Sequence, residues 1–232
     1  MLGTIVNAGA IILGGIVGLL FKGKIPELYH KLVFDSLSLC VVLIGLLNAF
    51  KVENLLLVIF SLVFGSIIGQ WLNLEKRLEN FSYWIEKKFI KAKPNGEESA
   101  FSKGFVTTTL VYCVGSMAVV GSFESGLSGN HSTLFAKSAL DGMSAVLFAA
   151  SLGFGVAFSS IPVFLYQGAL TLSASALKPF ITEVAIADMS AAGGLIIVAL
   201  GLKMLEIKKM PVANMLPAIF IPLIYYAILY LT

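Results

Sequence analysis

The stretch LFAKSALDGMSAVLFAASLGFGVAF, residues 134–158, is long enough and apolar enough to cross a bilayer, yet Lys137 and Asp141 sit inside it. The rest of the chain settles which solvent it meets. Of 232 residues, 58% are hydrophobic and 12% charged, against about 25% charged in a typical soluble domain. Mean hydropathy is +0.93. A soluble core of this size would need a polar shell that these residues cannot supply. Successive apolar runs of about 20 residues each fit a hydrocarbon layer of about 30 Å at a rise of about 1.5 Å per residue. The composition therefore predicts an all-α, polytopic transmembrane helix bundle with the lipid bilayer as its partner.

Apolar windows bounded by breakers give eight spans, at about 2–21, 32–50, 54–74, 101–123, 133–156, 159–177, 183–204 and 211–231. The first continues past Leu20 and has no basic segment before it, so it reads as a retained span and not a cleavable signal. Residues 75–100 interrupt the series. Leu74, Leu78, Phe81 and Ile85 share one helical face with Lys and Glu opposite, which suits an amphipathic helix at the interface or a solvated linker. The segment PNGEES, 94–99, reads as a turn. The chain thus divides into 1–74 (spans one to three), the linker 75–100, 101–158 (spans four and five) and 159–232 (spans six to eight).

Threading the spans puts 13 of the 16 Lys and Arg residues on one side and leaves Lys51, Lys137 and Lys178 for the other. Cytoplasmic loops carry the excess of positive charge. The expectation is an inner-membrane protein with loops 22–31, 75–100 and 205–210 in the cytoplasm and both termini outside. The net charge of +3 then needs no nucleic acid.

VNAGAIILGG (6–15) is similar to LYQGALTLSA (165–174), and DSLSLCVVLIGLLNAF (35–50) to DMSAAGGLIIVALGLKML (188–205). The offsets, 159 for Gly9 on Gly168 and 156 for Gly45 on Gly201, nearly agree. Five spans separate the members of each pair, so the halves would run in opposite directions, an inverted-topology repeat of the kind that secondary transporters use. Chance likeness between Gly/Ala/Leu-rich spans is the competing explanation. Asp35 and Asp188 would then lie one at each mouth, as candidate gates or as ordinary helix-start carboxylates.

Charged groups deep in a span cost about 3 kcal/mol on insertion scales. Asp141 is the carboxylate nearest the middle of a predicted span, and Lys137 lies four residues before it on the same face. Either they form a structural ion pair, or Asp141 binds or couples a proton or cation while Lys137 sets its charge. Gln167 and Thr171 share a face of span six, Asn7 lies in span one, and Ser116 belongs to TTTLVYCVGSMAVVGS (107–122), which is rich in hydroxyls and glycines. These four are candidate polar ligands. Gly115, Gly121, Ser122 and the following ESGLSGNHS (124–132) suggest that span four is broken or re-entrant, or that it ends in a glycine-rich loop. Asn214 stands before Pro217 and Pro222, which predict an interrupted span eight.

Cys40 and Cys113 have no CxxC or His neighbour, so neither a disulfide nor a metal is expected. His30 and His131 fall in loops, and no HExxH, GxSxG or P-loop pattern occurs. No enzyme and no cofactor are predicted.

Taken in order, GTIVNAGAIILGG (3–15), CVGSMAVVGS (113–122), KSALDGMSA (137–145), YQGALTL (166–172) and NMLPA (214–218) resemble a bacterial membrane-protein family known as domain of unknown function 554. The family often has proline where this chain has Ser116. The resemblance spans nearly the whole chain and implies this fold and a transport role without a substrate. The expected function is transport of a small solute or ion by alternating access, as a homo-oligomer such as a homodimer. A non-transporting scaffold or regulatory subunit is the alternative.

Overall fold

The structure is a computed structural model that describes residues 1–22, 27–89 and 99–231. Most of the turn expected at 94–99, and the basic residues Lys24, Lys91 and Lys93, lie outside them. The described residues fold into helices α1 (Leu2–Phe21), α2 (Glu27–Ala49), α3 (Leu55–Leu72), α4 (Leu74–Phe89), α5 (Ala100–Val114) and α6 (Ser116–Leu127). They continue as α7 (Ser132–Leu152), α8 (Gly155–Phe158), α9 (Ser160–Leu177), α10 (Glu183–Met204) and α11 (Ile221–Leu231), with a 3-10 segment at Val212–Ile219. Side-chain caps set several boundaries. Asn54, Ser99 and Thr182 accept backbone N–H bonds of 3.1 Å at the starts of α3, α5 and α10. Gly153, at φ +85° and ψ −153°, ends α7 in a conformation that side chains other than glycine's rarely adopt.

The bundle is turned inside out relative to a soluble protein. On α1 the buried residues are Gly3, Thr4, Asn7, Ile11, Gly14, Gly15 and Gly18, while Ile5, Ile12, Leu13, Ile16 and Leu20 face outward, Leu13 with 66% of its surface exposed. Hydrocarbon solvates those outward chains as well as a core would, so helix association must come from close packing of small residues. The principal contacts are α1 with α7, α2 with α10, and α3 with the 3-10 segment.

Gly3, Gly14 and Gly18 of α1 face Leu134, Gly142 and Val146 of α7, so the two helices run parallel. Among the described residues, seven helices are long and apolar enough to cross a membrane, and α5 with α6, bent by 60°, pass that test together. Between α1 and α7 the chain crosses in α2 and α3, while α4 is short and charged. Parallel α1 and α7 therefore require the bent pair to make one crossing, which brings the count to eight.

The break in span four falls at Gly115, whose φ −69° and ψ 148° are extended. The sequence also placed weakness at Gly121 and Ser122, but α6 runs through both. Span eight is interrupted as the prolines predict, with Pro217 inside the 3-10 segment and α11 starting after Phe220. The amphipathic helix forms as α4 and packs on α5. Its Ile85 is buried and Leu78 partly so, while Phe81 and Trp84 stay exposed.

Two substitutions test this packing. An added methyl at Gly14 would meet the Gly142 carbonyl and the Ala145 side chain, whereas one at Gly9 meets nothing within 4 Å. Gly14→Val is expected to cost about 1–3 kcal/mol or more and to lower the unfolding temperature in detergent, while Gly9→Ala leaves it unchanged. Ser116 opens α6 after an extended residue, a place where proline fits. Its hydroxyl bonds are lost to proline, yet preorganisation offsets about 1 kcal/mol, so Ser116→Pro should leave the thermal unfolding curve nearly where it was.

Candidate functional site

Lys137 and Asp141 lie one turn apart on α7, and both are buried, with 5% and 7% of their surface exposed. The Lys137 ammonium is bonded to Asp141 Oδ2. The close approach of α1 to α7 carries Asn7 to the same oxygen, to which its amide Nδ2 donates at 3.0 Å. Nδ2 also donates to Gln167 Oε1 of α9 at 3.3 Å. Asn7 and Gln167 are fully buried. Three spans thus meet at Asn7, which bridges the Asp141 carboxylate to Gln167.

The polarity of the chain follows from its charged end. A carboxylate only accepts, so Asn7 must turn its nitrogen to Asp141, and Gln167 must turn its oxygen to Asn7. That leaves Asn7 Oδ1, an acceptor, and Gln167 Nε2, a donor, buried without a partner. Thr4 Oγ1, one turn before Asn7, and the hydroxyl of Tyr166, next to Gln167, are likewise unmatched. Each such group costs about 1–3 kcal/mol, so the cluster retains unused capacity for hydrogen bonding.

Sequence reasoning missed Tyr112 of α5. Its ring centre lies 5.7 Å from the Lys137 nitrogen, and its hydroxyl accepts from Ser144, 3.2 Å away. Ser144 continues the α7 face of Lys137 and Asp141. Tyr112 stands within the hydroxyl-rich run 107–122, so its polarity was legible even though its target was not. Cys113 lies within electrostatic reach of both Lys137 and Asp141.

The other candidates fall elsewhere. Thr171 shares the Gln167 face, but its hydroxyl donates to the Gln167 carbonyl at 2.8 Å. Ser116 is not in the cluster: it donates to Asn48 Oδ1 and accepts from Lys51, both at 3.1 Å, at the far end of α2. Its place at the span-four break carries it toward α2 and away from α7. Asp188 is fully buried, but its oxygens accept from the backbone of Glu53 and Asn54 and from Tyr226, each at 2.9 Å. It secures the start of α3. Asn214 accepts from the backbone of Glu75 at 2.7 Å and donates to Gln70 at 2.8 Å, while Glu75 binds Lys203 at 2.5 Å.

Asp35 lines an open cavity of about 660 Å³ where the starts of α2 and α5 meet the ends of α7 and α10. A second cavity of about 620 Å³ lies beside it and shares Lys103, Met204 and Glu206. The lysine-rich ends of the helices therefore gather at one face. Among the described residues, no group of three or more His, Cys, Asp or Glu side chains is arranged to hold a metal.

A family model described as "Protein of unknown function (DUF554)" matches residues 2–227. The chain is 33% identical over 217 residues to the uncharacterized protein YqgA of Escherichia coli K12, covering 94% of this chain and 92% of that one. It is 32% identical over 223 residues, with the same coverage, to the uncharacterized membrane protein YdfK of Bacillus subtilis 168. No solved structure matches.

Breaking a buried pair from one side costs more than removing it. Lys137→Met strands the Asp141 carboxylate and is expected to destabilise by about 3 kcal/mol. Lys137→Met/Asp141→Asn should recover part of that loss in thermal unfolding of the purified protein. A double variant less stable than the single would contradict the pairing.

Proposed function

Since the chain belongs to the DUF554 family, whose description names no activity, we propose from its geometry that it is a transporter of a small solute or ion across the bacterial inner membrane. Its binding element is the Asn7, Lys137, Asp141 and Gln167 cluster. Asp141 serves as the binding or coupling carboxylate, and Lys137 holds its charge. One observation carries this reading: an unmatched acceptor on Asn7 and an unmatched donor on Gln167 lie buried beside a buried ion pair. Ionisable groups at such depth mark solute and ion pathways more often than they serve packing.

Two further features support it. Spans four and eight are both discontinuous, as the substrate-binding helices of many secondary transporters are. The contact of α2 with α10 is antiparallel, and its glycines are placed compatibly with the inverted repeat. A methyl at Gly45 would lie 2.6 Å from the Val198 nitrogen and 2.7 Å from the Gly194 oxygen. One at Gly201 would lie 3.1 Å from the Val42 nitrogen and 3.2 Å from the Ser38 oxygen. The offset of 156 that lays Gly45 on Gly201 also lays Val42 on Val198 and Ser38 on Gly194, so each contact is the image of the other. Alternating access would then rock the two halves against each other, with the lysine-rich face in the cytoplasm and both termini outside.

The packing of the cluster favours a second reading, a scaffold or regulatory subunit in which Lys137 and Asp141 only fasten α7. Flux measurements separate the two. Reconstituted into proteoliposomes as a monodisperse protein, Asp141→Asn and the double variant Lys137→Met/Asp141→Asn are each expected to lose flux of the carried solute by about tenfold or more, equivalent to about 1.4 kcal/mol. Unchanged flux in both would remove Asp141 from the mechanism and leave the structural role.

A further inference from the structure

We propose that the ligand of the buried cluster is a small solute without net charge that carries both a hydrogen-bond donor and an acceptor; this names the substrate class for the transport reading and rests on it. The cluster holds one positive and one negative charge, bonded to each other. It therefore has no net charge to offer a guest. What it offers is the paired capacity left over: an amide oxygen on Asn7 and an amide nitrogen on Gln167. A guest of net charge would bring an uncompensated ion into this interior at a cost of several kcal/mol. A guest with one donor and one acceptor satisfies both amides and leaves the ion pair intact.

The vestibule makes the same selection. Among the described residues, the two cavities at the lysine-rich face are lined by four lysines and four carboxylates, with Lys203 and Glu75 bonded to each other. Clefts that concentrate ions are lined by a single sign of charge, and this one carries both in equal number. It also points to the cluster. Ser151 and Leu152 line the cavity that holds Asp35. Along α7, residues 151, 148, 144 and 141 follow one face for about 15 Å at the helical rise. Phe148, buried at 3% exposure, stands on that face between Ser151 and Asp141.

The test uses the full chain purified in detergent, with thermal unfolding as the readout. Acetamide, glycine and alanine, which have no net charge, are compared at equal concentration with sodium acetate, choline chloride and sodium phosphate. At least one of the first three should raise the unfolding temperature in a saturable way, as a ligand of the native state does. Gln167→Leu should weaken that response about tenfold, the loss of one buried hydrogen bond. Gln167→Glu, which keeps the side chain's shape but adds a charge, should abolish it. A response confined to the charged compounds, no response to any uncharged one, or a response unaltered in both Gln167 variants would overturn the assignment. The two readings fail separately. Binding of an uncharged compound without its flux in proteoliposomes would leave the ligand class standing and remove transport, and flux of a charged compound alone would do the reverse.

Discussion

In hydrocarbon, burying an apolar side chain gains almost nothing, because lipid tails solvate leucine as well as a protein core does. Every helix contact in this bundle must therefore be held by dispersion between closely fitted backbones and by hydrogen bonds. The sequence meets that constraint by placing glycine where helices touch and large side chains where they do not. On α1, Gly14 and Gly18 lie so near the carbonyls of Gly142 and Val146 that an added methyl would overlap them. The same relation joins Gly65 and Gly69 of α3 to Ala218 and Asn214 of the 3-10 segment. Close approach also decides what the polar residues can reach, since Asn7 meets Asp141 because α1 and α7 leave no room between them.

The second consequence of the solvent is that polar groups must find partners inside the protein. The chain gathers them into separate nodes. Asp188 fastens the start of α3 to α10 and α11, and Glu75, Asn214 and Gln70 tie the end of α3 to the 3-10 segment. Asn48, Lys51 and Ser116 join α2 to the break in span four. In each of these the polar side chains bond to one another or to backbone N–H groups at helix ends. The Asn7, Lys137, Asp141 and Gln167 node differs in lying within three spans and in leaving an amide donor and an amide acceptor unused. That contrast, more than its charge, sets it apart from fastenings such as Asp188.

Length and hydropathy made the spans legible, because the bilayer fixes both, and proline made the interruption of span eight legible. The break at Gly115 was visible only as a concentration of small and hydroxyl residues. Gly115 adopts an ordinary extended conformation and an added methyl there would meet nothing, so no local rule singles it out from Gly121, which stays helical. The pairing of Lys137 with Asp141 could be read from their spacing, since it lies within one helix. Asn7 and Gln167 could be named as polar but not joined, because which faces of α1 and α9 meet α7 depends on packing across 134 and 160 residues of chain. Ser116 lies apart from the cluster for the same reason. A polar residue in a span announces only that it needs a partner, and Ser116 found its own in Asn48 and Lys51.

This division between local and distant partners bears on how the membrane accepts α7 at all. An isolated helix inserts before it packs, so a group that must be neutralised at insertion needs its partner on the same helix. Lys137 and Asp141 satisfy that condition at a spacing of four residues, where pairing offsets part of the cost of about 3 kcal/mol that each ion would otherwise meet. Asn7 and Gln167 are uncharged amides and can enter lipid at lower cost, so their bonds can wait for assembly. The ion pair is then what permits α7 to be a span. The amides, which arrive later from α1 and α9 and leave one group each unsatisfied, are the part of the site that insertion does not require.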